Sequence, residues 1–179
     1  MENYKEELYP ENLSVLLSYA DEVAENILAN LNNKNTKRVG DLYTEMNGKI
    51  IRNKKQFEDL GYTPNESNEF KGLYIFGEEQ NGNVIPVYVG ISRTVFRRLR
   101  QHTFGKNHNQ CSLAYLKTKH QKAEITRKTV TNEDMLPAKT IIQNYKVVLV
   151  PVQNDYDLYF LEVVLAGKFR TKWNSFKTH

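Results

Sequence analysis

The chain has 179 residues, of which 40% are hydrophobic and 26% are charged, and its formal net charge is +4. Its single cysteine excludes an internal disulfide and a thiolate zinc cluster, and no apolar run reaches the roughly 18 residues of a membrane span. The acidic N-terminus does not have the basic and apolar regions of a signal peptide. We therefore expect a cytoplasmic protein with one core domain and no membrane partner.

The charge is unevenly distributed along the chain. Residues 1–70 contain 8 Lys and Arg against 13 Asp and Glu, and residues 71–179 contain 17 against 8, so the two parts carry −5 and +9. A loop over residues 61–68 precedes the change, and we place a domain boundary after residue 70. The prediction is an N-terminal helical or irregular extension followed by a basic domain, whose charge favours a polyanionic partner.

The first predicted element is a helix over residues 10–32, with Pro10 in its first turn. Its apolar residues recur at spacings of three and four between Leu13 and Leu31 and form one stripe. The stripe packs on the rest of the chain, which is the alternative that we favour, or on a second copy in a homodimer.

A β-hairpin is predicted next. Residues 71–76 and 84–89 form its strands, and the dipeptide Asn81-Gly82 is typical of a two-residue turn. Pro86 indicates an edge or bulge position.

The following helix, over residues 92–102, is expected to begin at Ser92 as N-cap. Residues 103–135 are rich in Lys, His, Thr and Asn and show only a weak helical pattern at 113–116. An apolar run at 146–152 predicts a central strand, and either Asp155 or Asp157 is expected to cap a last helix that ends near Phe169.

Four side chains that can bind phosphate or transfer a proton lie on the hairpin and on the helix after it. Arg98 and His102 are four residues apart and therefore share one helical face. Arg98 can hold two phosphate oxygens in its fork, and His102 can relay a proton near neutral pH. Tyr74 and Tyr88 lie on paired strands, where a tyrosine acts as a base only if cations or a metal lower its pKa from about 10.

A metal ligand for phosphodiester hydrolysis is expected at Glu162. This carboxylate lies within an apolar helical stretch, where burying a charge requires a reason. One carboxylate with phosphate oxygens and waters is a normal environment for Mg²⁺. An ion pair at the edge of the core is the structural alternative.

The spacing of these residues resembles the GIY-YIG nuclease family. Arg98 and His102 stand ten and fourteen residues after Tyr88, and Asn174 stands twelve after Glu162, as in that family. Leu73 and Val89 replace isoleucine in the two tripeptides. The resemblance extends from residue 71 to about residue 176, and its positions are Gly72-Leu73-Tyr74, Tyr88-Val89-Gly90, Arg98, His102, Glu162 and Asn174.

The resemblance implies an α+β fold with a small, mostly antiparallel central sheet flanked by helices, and an endonuclease that cuts DNA with Mg²⁺ or Mn²⁺. Glu162 would hold the metal, Tyr74 would help to deprotonate the attacking water, and Tyr88 would support it. Arg98 would stabilise the transition state, and His102 completes the catalytic set. The residues expected to contact nucleic acid are Arg97, Arg100, Lys106 and Asn174, the last of which would also orient the site.

Each of these residues also has a structural explanation when it is taken singly. Strand tyrosines often pack a sheet face, and an Arg-rich helix is usually a solvated surface. The alternative function is a catalytically weak nucleic-acid-binding module that keeps the same fold. RNA stays open as a second substrate.

Overall fold

The structure is a computed structural model in which residues 12–175 are described. Within this range the chain is α+β, with two antiparallel sheets, and no helix is long and apolar enough to cross a membrane. The elements are α1 (Leu13–Leu31), a 3₁₀ turn (Gly40–Leu42), β1 (Tyr43–Met46), β2 (Lys49–Arg52), α2 (Lys54–Asp59), β3 (Gly72–Gln80), β4 (Asn83–Ser92), α3 (Val95–Phe104), α4 (Ser112–Gln121), α5 (Asn132–Asn144), β5 (Lys146–Pro151) and α6 (Asp155–Phe169).

The main sheet has three antiparallel strands in the order β4-β3-β5, so β3 is its central strand. The prediction that the apolar run at 146–152 forms a central strand is therefore wrong. Val147 belongs to the hydrophobic core on one face of the sheet and Val148 to the core on the other. The apolar composition of β5 reflects two covered faces, which an edge strand has when helices pack on both sides.

The β3–β4 hairpin confirms the predicted turn. Asn81 and Gly82 have φ of 49° and 82°, and they join strands that pair from Gln80 and Asn83 onward. Pro86 lies at a shift in the register of this ladder, on an edge strand, so its predicted edge or bulge position is confirmed.

Helices α1 and α6 cover one face of the sheet. The C-terminal part of the α1 stripe is buried against it, which is the intramolecular packing favoured from the sequence, whereas Leu13 and Leu17 are 62% and 45% exposed. The homodimer stays a prediction, and Pro10 lies outside the described residues. The buried side chains of α1 are those of Ala20, Val23, Ala24, Ile27 and Leu31.

The opposite face is covered by α3, α4, α5 and the β1–β2 hairpin. Tyr43 of β1 and Phe57 of α2 share this core with Tyr74 and Phe76 of β3. Residues before and after position 70 therefore contribute to both hydrophobic cores. The division into two domains at this position stays a prediction.

Two helices begin differently from the sequence prediction. Ser92 is not the N-cap of α3, which begins at Val95, because the Ser92 hydroxyl accepts a hydrogen bond from Thr94 N at 3.0 Å and closes a turn before the helix. Asn154 caps α6, instead of either aspartate that follows it, since its side chain accepts two backbone N–H groups of the first turn.

Residues 103–145 contain two helices, whereas the sequence predicts only a weak helical pattern within residues 103–135. The pattern at 113–116 lies within α4, and α5 is missed altogether. A reciprocal capping box between Thr131 and Asp134 starts α5, but Pro137 inside the helix and its polar composition conceal the element in the sequence.

Candidate active site

A cleft of about 620 Å³ opens at the β4 edge of the main sheet. Three of the predicted site residues line it, namely Tyr88 of β4, Glu162 of α6 and Asn174. The segment after α6 crosses this edge, where Trp173 N donates to Val87 O at 3.1 Å. Elements from both faces of the sheet therefore meet at the cleft.

Tyr74 and His102 form a buried pair beside Tyr88. Tyr74 is 1% exposed and His102 is 0% exposed, and the Tyr74 hydroxyl lies 2.9 Å from His102 Nε2. The Tyr88 ring centroid is 6.1 Å from that of Tyr74 and 5.7 Å from that of His102. Among residues 12–175, the Nδ1 atom of His102 has no hydrogen-bond partner. Tyr74 is thus the polar contact that orients the imidazole.

Close packing explains the glycine of each tripeptide. A Cβ on Gly90 would lie 2.7 Å from Cε2 of Tyr74 and closer still to Cζ and the hydroxyl. Gly90 pairs with Tyr74 across the β3–β4 ladder, so its missing side chain leaves the space that the tyrosine ring occupies. A Cβ on Gly72 would collide with the carbonyl oxygen of Val150 on β5. Neither glycine is required by a positive φ.

Burial determines the charge of the three rings. Burial raises the pKa of Tyr74 well above 10.0, and the adjacent Tyr88 raises it further. Burial also raises the pKa of Tyr88, an effect that the Arg98 cation opposes. The pKa of His102 falls well below 6.5 because the imidazole is buried and lies close to Arg98. At neutral pH the group therefore consists of two phenols and a neutral imidazole.

Arg98 is held by the loop that follows α3. Its Nη1 donates to Gln110 O and its Nη2 to Ser112 Oγ, both at 2.8 Å. The guanidinium is half-buried, and its charge lowers the pKa of both tyrosines and of His102. The sequence predicts that Arg98 and His102 share one helical face, and in the structure both lie close to Tyr74 and Tyr88.

The N-terminus of α3, which carries these groups, is fixed by a buried ion pair. Arg52 Nη2 lies 2.5 Å from Glu69 Oε1, and the Arg52 guanidinium lies over the rings of Phe57 and Phe96. The same carboxylate accepts the backbone N–H groups of Phe96 and Arg97, each at 2.9 Å. Burial raises the pKa of Glu69, which the Arg52 cation opposes. The N-terminal hairpin therefore positions α3 through Glu69.

Glu162 is the carboxylate that the cleft offers to a metal. It is half-buried, and its charge raises the pKa of Tyr88. Within residues 12–175 no group of three or more His, Cys, Asp and Glu side chains is placed to hold a metal ion. Mg²⁺ commonly uses one or two carboxylates, waters and substrate phosphate oxygens, so this donor set fits Mg²⁺ or Mn²⁺ bound with substrate and not a cage made by protein alone.

Asn174 acts as a clamp on the backbone of β4. Its Oδ1 accepts from Val89 N at 2.9 Å and its Nδ2 donates to Val89 O at 2.7 Å. The Thr171 hydroxyl donates to the same Oδ1 at 2.8 Å. The amide is therefore engaged beside Tyr88, and an orienting role fits this geometry better than direct contact with nucleic acid.

The other predicted nucleic-acid contacts lie on a different face of α3 and in the loop that follows it. Arg97, Arg100 and Lys106 line a second cleft, which Tyr88, Glu162 and Asn174 do not line. The structure thus divides the predicted residues between two clefts.

Part of the first cleft is lined by side chains between residues 108 and 127, which the sequence does not place in the candidate site. The Arg127 guanidinium carbon lies 6.0 Å from the Tyr115 ring centroid, and the His108 ring centroid lies 5.9 Å from it. The many cationic residues of this segment are the one sequence feature that could have suggested a role in the site. No local pattern indicates that the segment folds over β4. Its lining side chains are those of His108, Ser112, Tyr115, Lys119 and Arg127.

The site thus combines a buried Tyr74–His102 pair, Tyr88 beside it, Arg98 close to all three rings, and Glu162 in the cleft with Tyr88. Comparisons of the chain with protein-family models, with curated proteins and with solved structures found no match. Function must therefore be argued from the chemistry of the site itself.

Proposed function

We propose that this chain is a divalent-metal-dependent endonuclease that hydrolyses DNA phosphodiester bonds and has a GIY-YIG-like fold. The observation that carries the proposal is that Tyr88 and Glu162 line one cleft and that the buried Tyr74–His102 pair lies directly behind Tyr88, with Arg98 close to it. Hydrolysis of a phosphodiester requires a proton acceptor for water and positive charge where the transition state becomes negative. This set of side chains can supply both.

Tyr88 is the proposed hydroxyl that meets the reacting water, because it lines the cleft while Tyr74 is 1% exposed. This exchanges the roles that the resemblance implies for the two tyrosines. As Tyr88 accepts the proton of the water, it gives its own hydroxyl proton to Tyr74, and Tyr74 gives its hydroxyl proton to the neutral Nε2 of His102, which lies 2.9 Å from the Tyr74 hydroxyl. Both tyrosines therefore stay neutral, and His102 is the final proton acceptor. A bound phosphate anion favours this transfer, since it raises the low pKa of His102.

Positive side chains in and beside the cleft are proposed to bind the phosphates of the substrate. Arg98 stabilises the charge that develops on its oxygens. Lys119 and Arg127, from the lining segment before α5, bind the flanking phosphates. Ser112 accepts a hydrogen bond from Arg98 and so holds the guanidinium at the cleft.

Glu162 is the proposed ligand of one Mg²⁺ or Mn²⁺. When bound, the ion neutralises phosphate charge and makes a coordinated water more acidic. The Glu162 charge raises the pKa of Tyr88, so a cation bound at this carboxylate would make Tyr88 easier to deprotonate. Because the ion is proposed to bind together with the substrate, Glu162 would link substrate binding to the pKa of Tyr88.

The test is nicking of supercoiled plasmid by the purified chain with Mg²⁺ or Mn²⁺. We expect Glu162→Gln and Tyr88→Phe to slow nicking by about 10²- to 10⁴-fold, the range for loss of a group that handles a proton or its metal. Glu25→Gln on α1 and Tyr159→Phe on α6 are the matched controls, because both side chains are exposed outside the cleft. Wild-type protein that does not nick, or a Glu162→Gln variant that nicks as fast as Glu25→Gln, overturns the proposal.

A second candidate function is a nucleic-acid-binding module without useful catalysis. It is favoured by the engagement of Arg98 with Gln110 and Ser112, and by the burial of Tyr74. It predicts DNA binding that weakens steeply with salt and is the same in Glu162→Gln as in wild type, with no metal-dependent cleavage.

A further inference from the structure

A second cleft, of about 770 Å³, lies between the β1–β2 hairpin, α3 and the loop over residues 105–110. None of the proposed catalytic side chains lines it. Its lining is mixed, and three separate parts of the chain contribute cationic side chains to it. Its cations are Lys49, Arg97, Arg100 and Lys106, and its one carboxylate is that of Glu66.

Different faces of helix α3 contribute side chains to the second cleft and to the group around Tyr74 and Tyr88. Arg97, Arg100, Gln101 and Phe104 follow the i, i+3, i+4, i+7 spacing of one helical face, and all four line the second cleft. Arg98 and His102 lie roughly 130° round the helix from the centre of this face, given 3.6 residues per turn, and they belong to the candidate active site. A ligand in the second cleft therefore lies on a neighbouring face of the helix that carries the catalytic groups.

The cations of the second cleft are largely uncompensated. Arg100 Nη1 lies 3.5 Å from Glu66 Oε2. Within residues 12–175, Lys49, Arg97 and Lys106 make no ion pair. Four cations facing one carboxylate, with three unpaired in this part of the chain, create a local positive field that selects an anion with several charges.

Two of these cations are presented by well-defined backbone. Lys49 follows the Asn47-Gly48 turn, whose residues have φ of 51° and 74°, and pairs with Met46 across the hairpin. Lys106 N donates to Gln110 Oε1 at 3.0 Å. The carbonyl of the same Gln110 accepts from Arg98, so the loop joins the second cleft to the active site.

We propose that the second cleft binds the sugar–phosphate backbone of duplex DNA beside the position that is cut. The proposal rests on the proposed nuclease function and adds the track that the duplex follows. Regularly spaced phosphates meet the separated cations of the hairpin tip, α3 and the 105–110 loop. The N-terminal hairpin, which precedes residue 71, thus becomes part of the DNA-binding surface.

The experiment compares Lys49→Ala/Lys106→Ala with Lys54→Ala/Lys55→Ala, both made in the full chain. The two lysines of the control are exposed on α2, line neither cleft, and give the same change in net charge. Binding to a labelled duplex is followed by fluorescence anisotropy in EDTA over a range of salt concentrations. Without a divalent metal the DNA stays intact, so binding is measured separately from cleavage.

Loss of two phosphate contacts is expected to reduce the slope of log K against log salt by about 1.8, which corresponds to about 60-fold weaker binding at 0.1 M salt. The control pair should change the slope by less than half as much. Equal slopes for the two variants, or wild-type protein that binds no duplex, overturn the inference. Wild-type protein that binds with the expected slopes but does not nick plasmid leaves the cleft established and overturns the nuclease, so the two failures are distinguishable.

Discussion

Replacement of Gly90 by alanine tests the packing that holds Tyr74 in the site. The added Cβ would lie 2.7 Å from Cε2 of Tyr74 and closer to Cζ and the hydroxyl, so the ring cannot keep its place. Tyr74 is 1% exposed and stands opposite Gly90 in the ladder, which leaves the ring little room to move. Its hydroxyl must then move away from His102 Nε2, now 2.9 Å distant.

Two terms contribute to the expected loss of stability. Overpacking a close-packed core costs about 1–3 kcal/mol. A buried hydrogen bond that is broken without replacement costs a further ~1–3 kcal/mol, because the polar groups stay desolvated. We therefore expect Gly90→Ala to lower the free energy of unfolding by about 2–6 kcal/mol, a large part of the roughly 5–15 kcal/mol of a typical domain.

Gly167→Ala is the matched control, since a Cβ at this helical position meets nothing within 4 Å. That change should stabilise the protein by about 0.5–1 kcal/mol, as alanine is the better helix former. Urea denaturation followed by the fluorescence of the single tryptophan, Trp173, gives both free energies. A Gly90→Ala variant as stable as Gly167→Ala refutes the packing argument. A double-mutant cycle of Gly90→Ala and Tyr74→Leu gives a second test. If the two changes in the free energy of unfolding simply add, the packing argument is also refuted.

Two further predictions concern buried ionisable groups. The pKa of folded His102 lies well below 6.5 whereas that of the unfolded chain is near it, so between these values only the unfolded chain binds the proton and stability falls as pH falls. Wild type should lose up to about 1.4 kcal/mol per pH unit below pH 6.5 relative to His102→Gln, in urea titrations at pH 7.5, 6.5 and 5.5, and parallel curves would contradict this. Arg52→Met leaves the Glu69 carboxylate without its buried partner and should cost about 3–5 kcal/mol, against about 0.5 kcal/mol or less for exposed Lys54→Met. Equal thermal midpoints for these two variants would refute the role of the ion pair.

Local patterns predict several parts of this structure. The Asn81-Gly82 turn is confirmed because a two-residue turn requires residues that accept a positive φ. The alignment of Arg98 with His102 follows from the helical repeat, which is a property of neighbouring residues. The spacing of Leu158, Leu161, Leu165 and Phe169 predicts in the same way that they are buried in α6; the three leucines are buried and Phe169 is half-buried.

Such local patterns do not predict contacts between distant parts of the chain. The sequence alone determines an α+β chain and a set of residues spaced like those of a nuclease site, since both depend on short repeats and fixed offsets. Only the tertiary structure buries Tyr74, engages Asn174 with Val89 and folds the segment around Arg127 into the cleft. The physical reason is that burial and hydrogen bonding depend on which surfaces meet, and residues 28 or 85 positions apart carry no local signal of their contact.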